Sequence, residues 1–216
     1  MFKGLKMLGV AAAAAVLMAA PAQAATVIDF QSGLAGTGGT ITWDGSNLIG
    51  SNIPVGVVVV SDAPTNNGVF TVTGTATGSG GSGFGSLNFN TNSDGNFLSI
   101  TGCILGLNVG GSQSCDPVTL LSGTFTSFTD SNNGLTDAMG EDQKNTDLLN
   151  AIGFPTNLPW QFYGFAVTTQ NNLNPNGTPG SVISTDIRNT AVPEPATMML
   201  LGTGLLAAFK ARRRQA

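Results

Sequence analysis

Short apolar runs, separated by Gly, Asn, Ser and Pro, make up most of the chain. Many of them alternate apolar and polar residues with a period of two, which is typical of strands that bury one face. The clearest are 69–77, where apolar residues alternate with threonines, and 160–169, where aromatic and aliphatic residues recur at every second position. The whole pattern predicts ten strands, at 27–30, 40–43, 55–60, 69–77, 86–90, 97–101, 104–109, 118–129, 160–169 and 181–187.

Ten short strands rich in Thr and β-branched residues predict an all-β fold, an antiparallel β-sandwich or jelly roll. One short helix is expected within it, because Asn145 or Thr146 can cap a first turn and Gly153 can end the last one. The apolar residues on the inner side of this helix are Leu148, Leu149 and Ile152. The polar stretches 130–144 and 171–180 are predicted to be long loops.

The N-terminal end is predicted to form the first of two short apolar terminal helices that flank this domain. Two lysines precede an uninterrupted apolar run at 7–20, and a proline follows it. Ala22 and Ala24 then place small residues at the two positions that a signal peptidase reads, with cleavage before Ala25. Residues 1–24 are therefore interpreted as a secretory signal peptide, which makes signal peptidase and the secretion machinery partners of the chain.

The C-terminal end has three consecutive parts. Val192, Pro193, Glu194 and Pro195 form a segment that cannot enter a helix, because two prolines stand one residue apart. Residues 197–209 are apolar and, at about 1.5 Å per residue, span roughly 20 Å of a hydrocarbon core about 30 Å thick. The last part, 210–216, holds the basic residues that would keep this end in the cytoplasm: Lys210, Arg212, Arg213 and Arg214.

This order of a Pro-Glu-Pro triplet, an apolar helix and an Arg-rich end resembles the PEP-CTERM sorting signal. The resemblance covers about 191–216 and implies a Gram-negative bacterium whose exosortase recognises the triplet. It also implies a transient stay in the inner membrane, followed by release to the cell surface or extracellular matrix. Family members are associated with exopolysaccharide and biofilm, so exopolysaccharide is a candidate partner.

The body between the two signals, residues 25–190, is long enough for one domain with its own core. Between residues 25 and 192 the chain holds eleven acidic residues and only two basic ones, Lys144 and Arg188. Such an acidic body is repelled by phosphate backbones, so no nucleic-acid partner is expected.

Cys103 and Cys115 are the only cysteines, and export would take them to an oxidising compartment. A disulfide between them is the favoured interpretation, and two free buried thiols are the alternative. A metal site is not expected at these cysteines, because the chain has no His and no further Cys.

Three stretches resemble ligand-binding motifs without meeting their requirements. Residues 78–83 match a dinucleotide fingerprint but precede a predicted strand, so a flexible Gly/Ser loop is favoured. Residues 90–96 resemble half of a calcium loop, and a hairpin turn through Asp94 and Gly95 is favoured. Calcium is the one cofactor that the second acidic group suggests, although a solvated loop is preferred there; its members are Asp130, Asp137, Glu141, Asp142 and Asp147.

No catalytic residues can be assigned. The absence of His excludes Ser-His-Asp and Cys-His mechanisms, and nothing selects a carboxylate pair for a hydrolase. The leading hypothesis is a non-enzymatic structural or interaction component of the cell surface. The alternative is a carbohydrate-binding module using Trp43, Trp160 and Tyr163, although core aromatics are the default interpretation. A secreted hydrolase is the third hypothesis.

Overall fold

A computed structural model of the chain describes residues 27–131 and 134–192, with the side chains of residues 27, 130 and 131 left out. The predicted terminal helices at 1–24 and 197–209 lie outside these residues. The described chain is mostly strand, and its strands are β1 (Val27–Gln31), β2 (Gly38–Trp43), β3 (Leu48–Val55), β4 (Val57–Ser61), β5 (Gly68–Thr71), β6 (Thr73–Gly78), β7 (Gly81–Asn90), β8 (Phe97–Gly102), β9 (Val118–Ser131), β10 (Gly134–Lys144), β11 (Trp160–Thr169) and β12 (Gly180–Ala191).

Eight of these strands close into an antiparallel barrel. The ring runs β2–β3–β7–β8–β9–β10–β11–β12 and returns from β12 to β2 through the pair Gly180 and Ile41. The predicted sandwich or jelly roll is therefore wrong. Alternation of apolar and polar positions does not distinguish the two folds, because both bury one face of every strand.

β12 makes the closure possible because it is long enough to pair with several strands. Its first residues, 180–182, pair with β2, and a register shift follows between Ser181 and Val182. Its later residues, 186–190, pair with β1, which in turn pairs with β4. The strands β1, β4 and β5 thus extend the sheet beyond the closed ring, and β5 is its edge.

Aromatic rings fill the middle of the core. Phe89, Phe125, Phe162 and Phe165 are all buried and contact one another, mostly edge to face, with ring centroids 5.4–6.4 Å apart. Gly140 makes room for them, because a Cβ there would meet the Phe162 ring at 2.6 Å and the Thr124 carbonyl oxygen at less than a normal contact distance. Such edge-to-face packing is the arrangement that aromatic quadrupoles favour.

The single α-helix of the described chain, α1 (Thr146–Ile152), confirms the prediction from capping residues. The Asn145 side chain accepts hydrogen bonds from the backbone of Asp147 and Leu148, and Gly153 ends the helix in the left-handed conformation. Its inner residues Leu148, Leu149 and Ile152 are buried as expected.

Several predicted boundaries are wrong. Gly56 splits the predicted strand 55–60 between β3 and β4, and Val72 splits 69–77 between β5 and β6. Residues 104–109 contain a short 3-10 helix, Leu105–Leu107, instead of a strand. The predicted polar loop 130–144 instead contains the end of β9 and all of β10.

Candidate functional site

The two ends of the described chain lie side by side. Val27, the first residue of β1, is paired with Thr190 near the end of β12. One residue beyond β12, the backbone N–H of Val192 donates to the Pro159 carbonyl oxygen at 2.9 Å. The chain therefore leaves the sheet beside the segment that connects α1 to β11.

A groove of about 930 Å³ lies at this exit point. It is lined by Val192, Pro159 and residues of β9, β10 and β11. Its exposed walls are rich in hydroxyl and amide groups, which come from Ser122, Thr124, Gln143, Thr156, Asn157 and Gln161.

Four buried polar side chains lie together: Asp142 and Lys144 on β10 and Trp160 on β11, which line the groove, and Asn189 on β12. We call them the buried cluster. Asp142 and Lys144 both point inwards because they stand two residues apart on one strand. The side chains of Asp142 and Lys144 have no solvent exposure, and Asn189 and Trp160 are 0% and 2% exposed as whole residues.

Lys144 connects the other three residues of the buried cluster. Its Nζ lies 2.5 Å from Asp142 Oδ1, donates to Asn189 Oδ1 at 3.0 Å and stands 5.3 Å from the centre of the Trp160 ring. The Asn189 amide is fixed by two further hydrogen bonds, which its Nδ2 donates to the carbonyl oxygens of Ile28 at 2.7 Å and Ile187 at 2.9 Å. The amide oxygen is thereby directed at Lys144.

Burial shifts the pKa values of both charged groups towards neutrality. It lowers the pKa of Lys144 to about 8, against the attraction of Asp142, and it raises the pKa of Asp142, against the attraction of Lys144. Apart from the Lys144 ion pair, neither Asp142 oxygen has a hydrogen-bond partner among the described residues. Burying two charges is costly, and the attraction between Asp142 and Lys144 offsets only part of that cost.

A second charged group lies on the outer side of β1 and β12. Asp29 accepts a hydrogen bond from Gln31 Nε2 at 2.7 Å, and Arg188 approaches both Asp29 and Asp186, at 3.8 and 3.6 Å. Burial, reinforced by a hydrogen bond with the Asp186 carboxyl, raises the pKa of Asp29 to about 7.

The predicted sugar-binding aromatics do not form one platform. Trp160 is buried in the core, Trp43 is half-buried, and only Tyr163 is substantially exposed. Trp43 lies on β2 and Tyr163 on β11, with β12 between these strands. The aromatic platform is therefore wrong as a candidate site, and the default interpretation of core aromatics holds for Trp160.

The acidic residues proposed for calcium are also separated. Asp137 and Glu141 point outwards from β10, whereas Asp142 points inwards and Asp147 begins α1. Asp130 is on β9, and its side chain lies outside the described set. Within residues 27–131 and 134–192, no group of three or more acidic or sulfur side chains could hold a metal ion.

The two other motifs belong to hairpins. Residues 78–83 form the tight turn between β6 and β7 and part of β7, so no helix follows them, and they are not a flexible loop. The turn through Asp94 and Gly95 joins β7 to β8 as predicted. The Cys103–Cys115 disulfide is present and closes the connection between β8 and β9.

The predicted processing residues fall outside the described chain, except for Val192. These are the signal cleavage residues Ala22, Ala24 and Ala25, the triplet Pro193, Glu194 and Pro195, and the basic residues Lys210, Arg212, Arg213 and Arg214. In the part of the chain that the structure describes, no helix is both long enough and apolar enough to span a membrane.

The described residues thus form a folded domain that ends where the C-terminal tail begins. Comparison with protein families identifies the tail, because residues 191–214 match the PEP-CTERM protein-sorting motif. The motif implies an exosortase as processing partner and export to the envelope or surface of a Gram-negative cell. No curated protein and no solved structure is significantly similar to the chain.

Sequence reasoning did not find the buried cluster. Its only sequence signal is that Lys144, one of two bases in the body, alternates with Asp142 at strand spacing. The stretch was interpreted as a polar loop, which concealed the inward direction of both side chains.

Proposed function

We propose that the closed domain is a non-catalytic structural or interaction component of an exopolysaccharide-rich cell surface, delivered there by processing of its tail. The observation that supports this most directly is the position of the sorting motif, which begins at residue 191, where β12 ends. Removal of everything after Val192 would leave every strand of the barrel in place. The domain can therefore remain folded after its sorting signal has been removed.

The arrangement of carboxyl groups supports a non-catalytic role over a hydrolase. Asp29 and Asp186 lie on the outer side of the sheet, where Arg188 approaches both at 3.8 and 3.6 Å. A glycosidase instead holds two carboxyl groups about 5–9 Å apart across a substrate cleft.

The sorting proposal is tested by changing the triplet to Pro193→Ala/Glu194→Ala/Pro195→Ala in a Gram-negative host that produces an exosortase. The unchanged chain is expected to lose residues 1–24, to end near Pro193 and to appear in the envelope or medium. The variant is expected to keep its tail and to accumulate in the inner membrane. Mass spectrometry of each cell fraction measures both the ends and the location.

The matched control is Asn174→Ala/Pro175→Ala, which removes a proline from an exposed loop of the body and should be processed normally. The proposal would be refuted if the triplet variant were processed and located in the same way as the unchanged chain.

The groove favours carbohydrate binding as a second candidate function. Its exposed walls carry hydroxyl and amide groups, which can exchange hydrogen bonds with sugar hydroxyls, and it is large enough for a short oligosaccharide.

If the groove binds exopolysaccharide, Gln143→Ala/Asn157→Ala should weaken binding of the purified domain to extracted matrix at least fivefold. Gln113→Ala, an exposed amide in the disulfide loop, is the control, and equal binding by all three proteins would eliminate the groove as the site.

A further inference from the structure

The buried cluster has the composition and geometry of a reaction centre. A buried ion pair normally satisfies its remaining oxygens and protons with further hydrogen bonds, because their desolvation is otherwise uncompensated. Here the Asp142 carboxylate pairs with Lys144, and Lys144 in turn donates a hydrogen bond to a fixed, neutral amide. A simple structural ion pair does not require that amide.

The Lys144 amine lies against the carbonyl group of Asn189. Nζ is 3.0 Å from Oδ1, and the carbonyl carbon Cγ is bonded directly to that oxygen. A hydrogen bond approaches the amide in its plane, whereas nucleophilic attack comes from its face, so the amine needs only a local swing to reach Cγ. Reacting groups held this close gain a large rate advantage over free amine and amide.

We propose that Lys144 and Asn189 form an intramolecular amide bond, with Asp142 as the proton carrier. The bond would join β10 to β12 across β11, and so would covalently hold the last strand before the sorting tail.

The reaction balances without an oxidant, a reductant or a cofactor. A proton first passes from Lys144 Nζ to Asp142, which gives a neutral amine and a carboxylic acid. The amine attacks Asn189 Cγ, and the new C–N bond forms as the carbonyl oxygen takes up charge. The bond from Cγ to Nδ2 then breaks, and Nδ2 leaves as ammonia after receiving a proton from Asp142. Asp142 takes the second proton of the attacking nitrogen and ends as a neutral acid.

The surroundings favour each of these steps. Burial lowers the pKa of Lys144 and raises that of Asp142, so the neutral amine and acid are accessible near neutral pH. The carbonyl oxygens of Ile28 and Ile187 already hold Nδ2, where the ammonia forms. Asp142 and Lys144 line the groove, and Lys144 contacts the amide that would release the ammonia.

Trypsin gives a direct test, because between residues 25 and 192 it can cut only after Lys144 and Arg188. The full chain is purified from producing cells, denatured, reduced and digested. An amide-bonded Lys144 resists trypsin, so the expected result is no cut after residue 144 and a branched fragment that carries Asn189. The intact mass should be lower by one ammonia.

The digestion also separates the cross-link from another source of ammonia loss. Succinimide formation at an Asn-Gly pair, such as 67–68, 133–134 or 176–177, releases ammonia too but leaves Lys144 cleavable. Complete cleavage of the unchanged protein after Lys144 would overturn the proposal, whatever its mass. This measurement needs no variant and is independent of tail processing.

Three variants test the assigned roles. Lys144→Arg keeps a positive charge and a trypsin site but has no nucleophilic amine, so it should be cut at 144 and retain its ammonia. Asp142→Asn keeps the side-chain volume but carries no exchangeable acid proton, so Lys144 should remain unlinked and cleavable. Asn189→Asp should expel water in place of ammonia and reach the same linked mass as the unchanged protein. A linked Asp142→Asn protein or an unlinked but folded Asn189→Asp protein would contradict the mechanism.

Discussion

Ionisation of Asp29 should affect the stability of the domain, because Asp29 lies in the part of the sheet that holds both ends of the described chain. It lies on β1 opposite Arg188 of β12 and Val59 of β4, and Asp186 is the second carboxyl group beside it. Its pKa is raised to about 7 in the folded protein from an ordinary value of 3.8. Between these two values the folded chain binds a proton that the unfolded chain has lost, so stability falls as pH rises from about 4 to about 7.

Asp29→Asn should remove this part of the pH dependence, because an amide does not ionise in this range. Between pH 5 and pH 8, the melting temperature of the variant is expected to fall less than that of the unchanged protein. At pH 8 the variant should be the more stable of the two. Thermal unfolding followed by circular dichroism at several pH values measures this. Asp94→Asn, on the exposed turn between β7 and β8, is the control, and parallel curves for all three proteins would disprove the assignment.

Gly140 is a residue at which even one methyl group should be costly. The Phe162 ring and the Thr124 carbonyl oxygen occupy the space that a Cβ needs. Gly140→Ala should therefore destabilise the domain by about 1–3 kcal/mol through overpacking. Chemical denaturation gives the value, with Gly95→Ala on an exposed turn as the control; a Gly140→Ala protein as stable as that control would show that the core can rearrange.

At the scale of elements, the connection between β8 and β9 depends on its disulfide. Cys103 is buried and exchanges two backbone hydrogen bonds with Thr73, while Cys115 closes a loop with a sequence separation of 12 residues. Cys103→Ser/Cys115→Ser should lower the unfolding free energy by about 3 kcal/mol, because the unfolded chain regains the entropy of that loop. Urea denaturation measures the loss, and Ser112→Ala in the same loop should be neutral. A loss below about 1 kcal/mol would mean that the loop is held by other contacts.

Most elements could be predicted because their signals are local. Strand alternation identifies most of the strands, and Asn145 and Gly153 mark the ends of α1. β10 could not be identified, because its outward residues are mostly polar and its inward positions include Gly140, Asp142 and Lys144. In the sequence these residues are typical of a loop, and only the neighbouring strands of the folded domain bury them.

The closure of the barrel and the buried cluster could not be predicted, because both depend on pairing between strands that are far apart in the sequence. The sheet closes into a barrel because β12 pairs with β2. The residues of these two strands do not by themselves indicate that the strands are partners. The buried cluster depends on the pairing of β10 with β11 and of β11 with β12, which brings together Lys144 and Asn189, 45 residues apart in the chain. The export signals, by contrast, are contiguous segments, which explains why the sorting motif could be predicted.

At the scale of the whole molecule, the folded domain should be independent of its tail. A chain that ends at Val192 keeps all twelve strands and the hydrogen bond from Val192 to Pro159. We expect its melting temperature to equal that of the longer chain within about 2 °C. Ending the chain at Thr185 removes the pairing of β12 with β1 and should prevent folding. Unfolding of the 192-residue chain at a clearly lower temperature would show that the tail supports the domain.

The pairing of Val27 with Thr190 places both ends of the described chain at the same end of the barrel. Since β12 runs towards the tail and its neighbours are antiparallel, the turns at 44–47, 91–96 and 170–179 all lie at the opposite end of the ring. Gly177 of the last turn donates its backbone N–H to Trp43, which joins two of these turns into one surface. A domain attached through its C-terminus would thus display an asparagine-rich crown of turns to the surrounding medium, as far from the bilayer as the barrel allows.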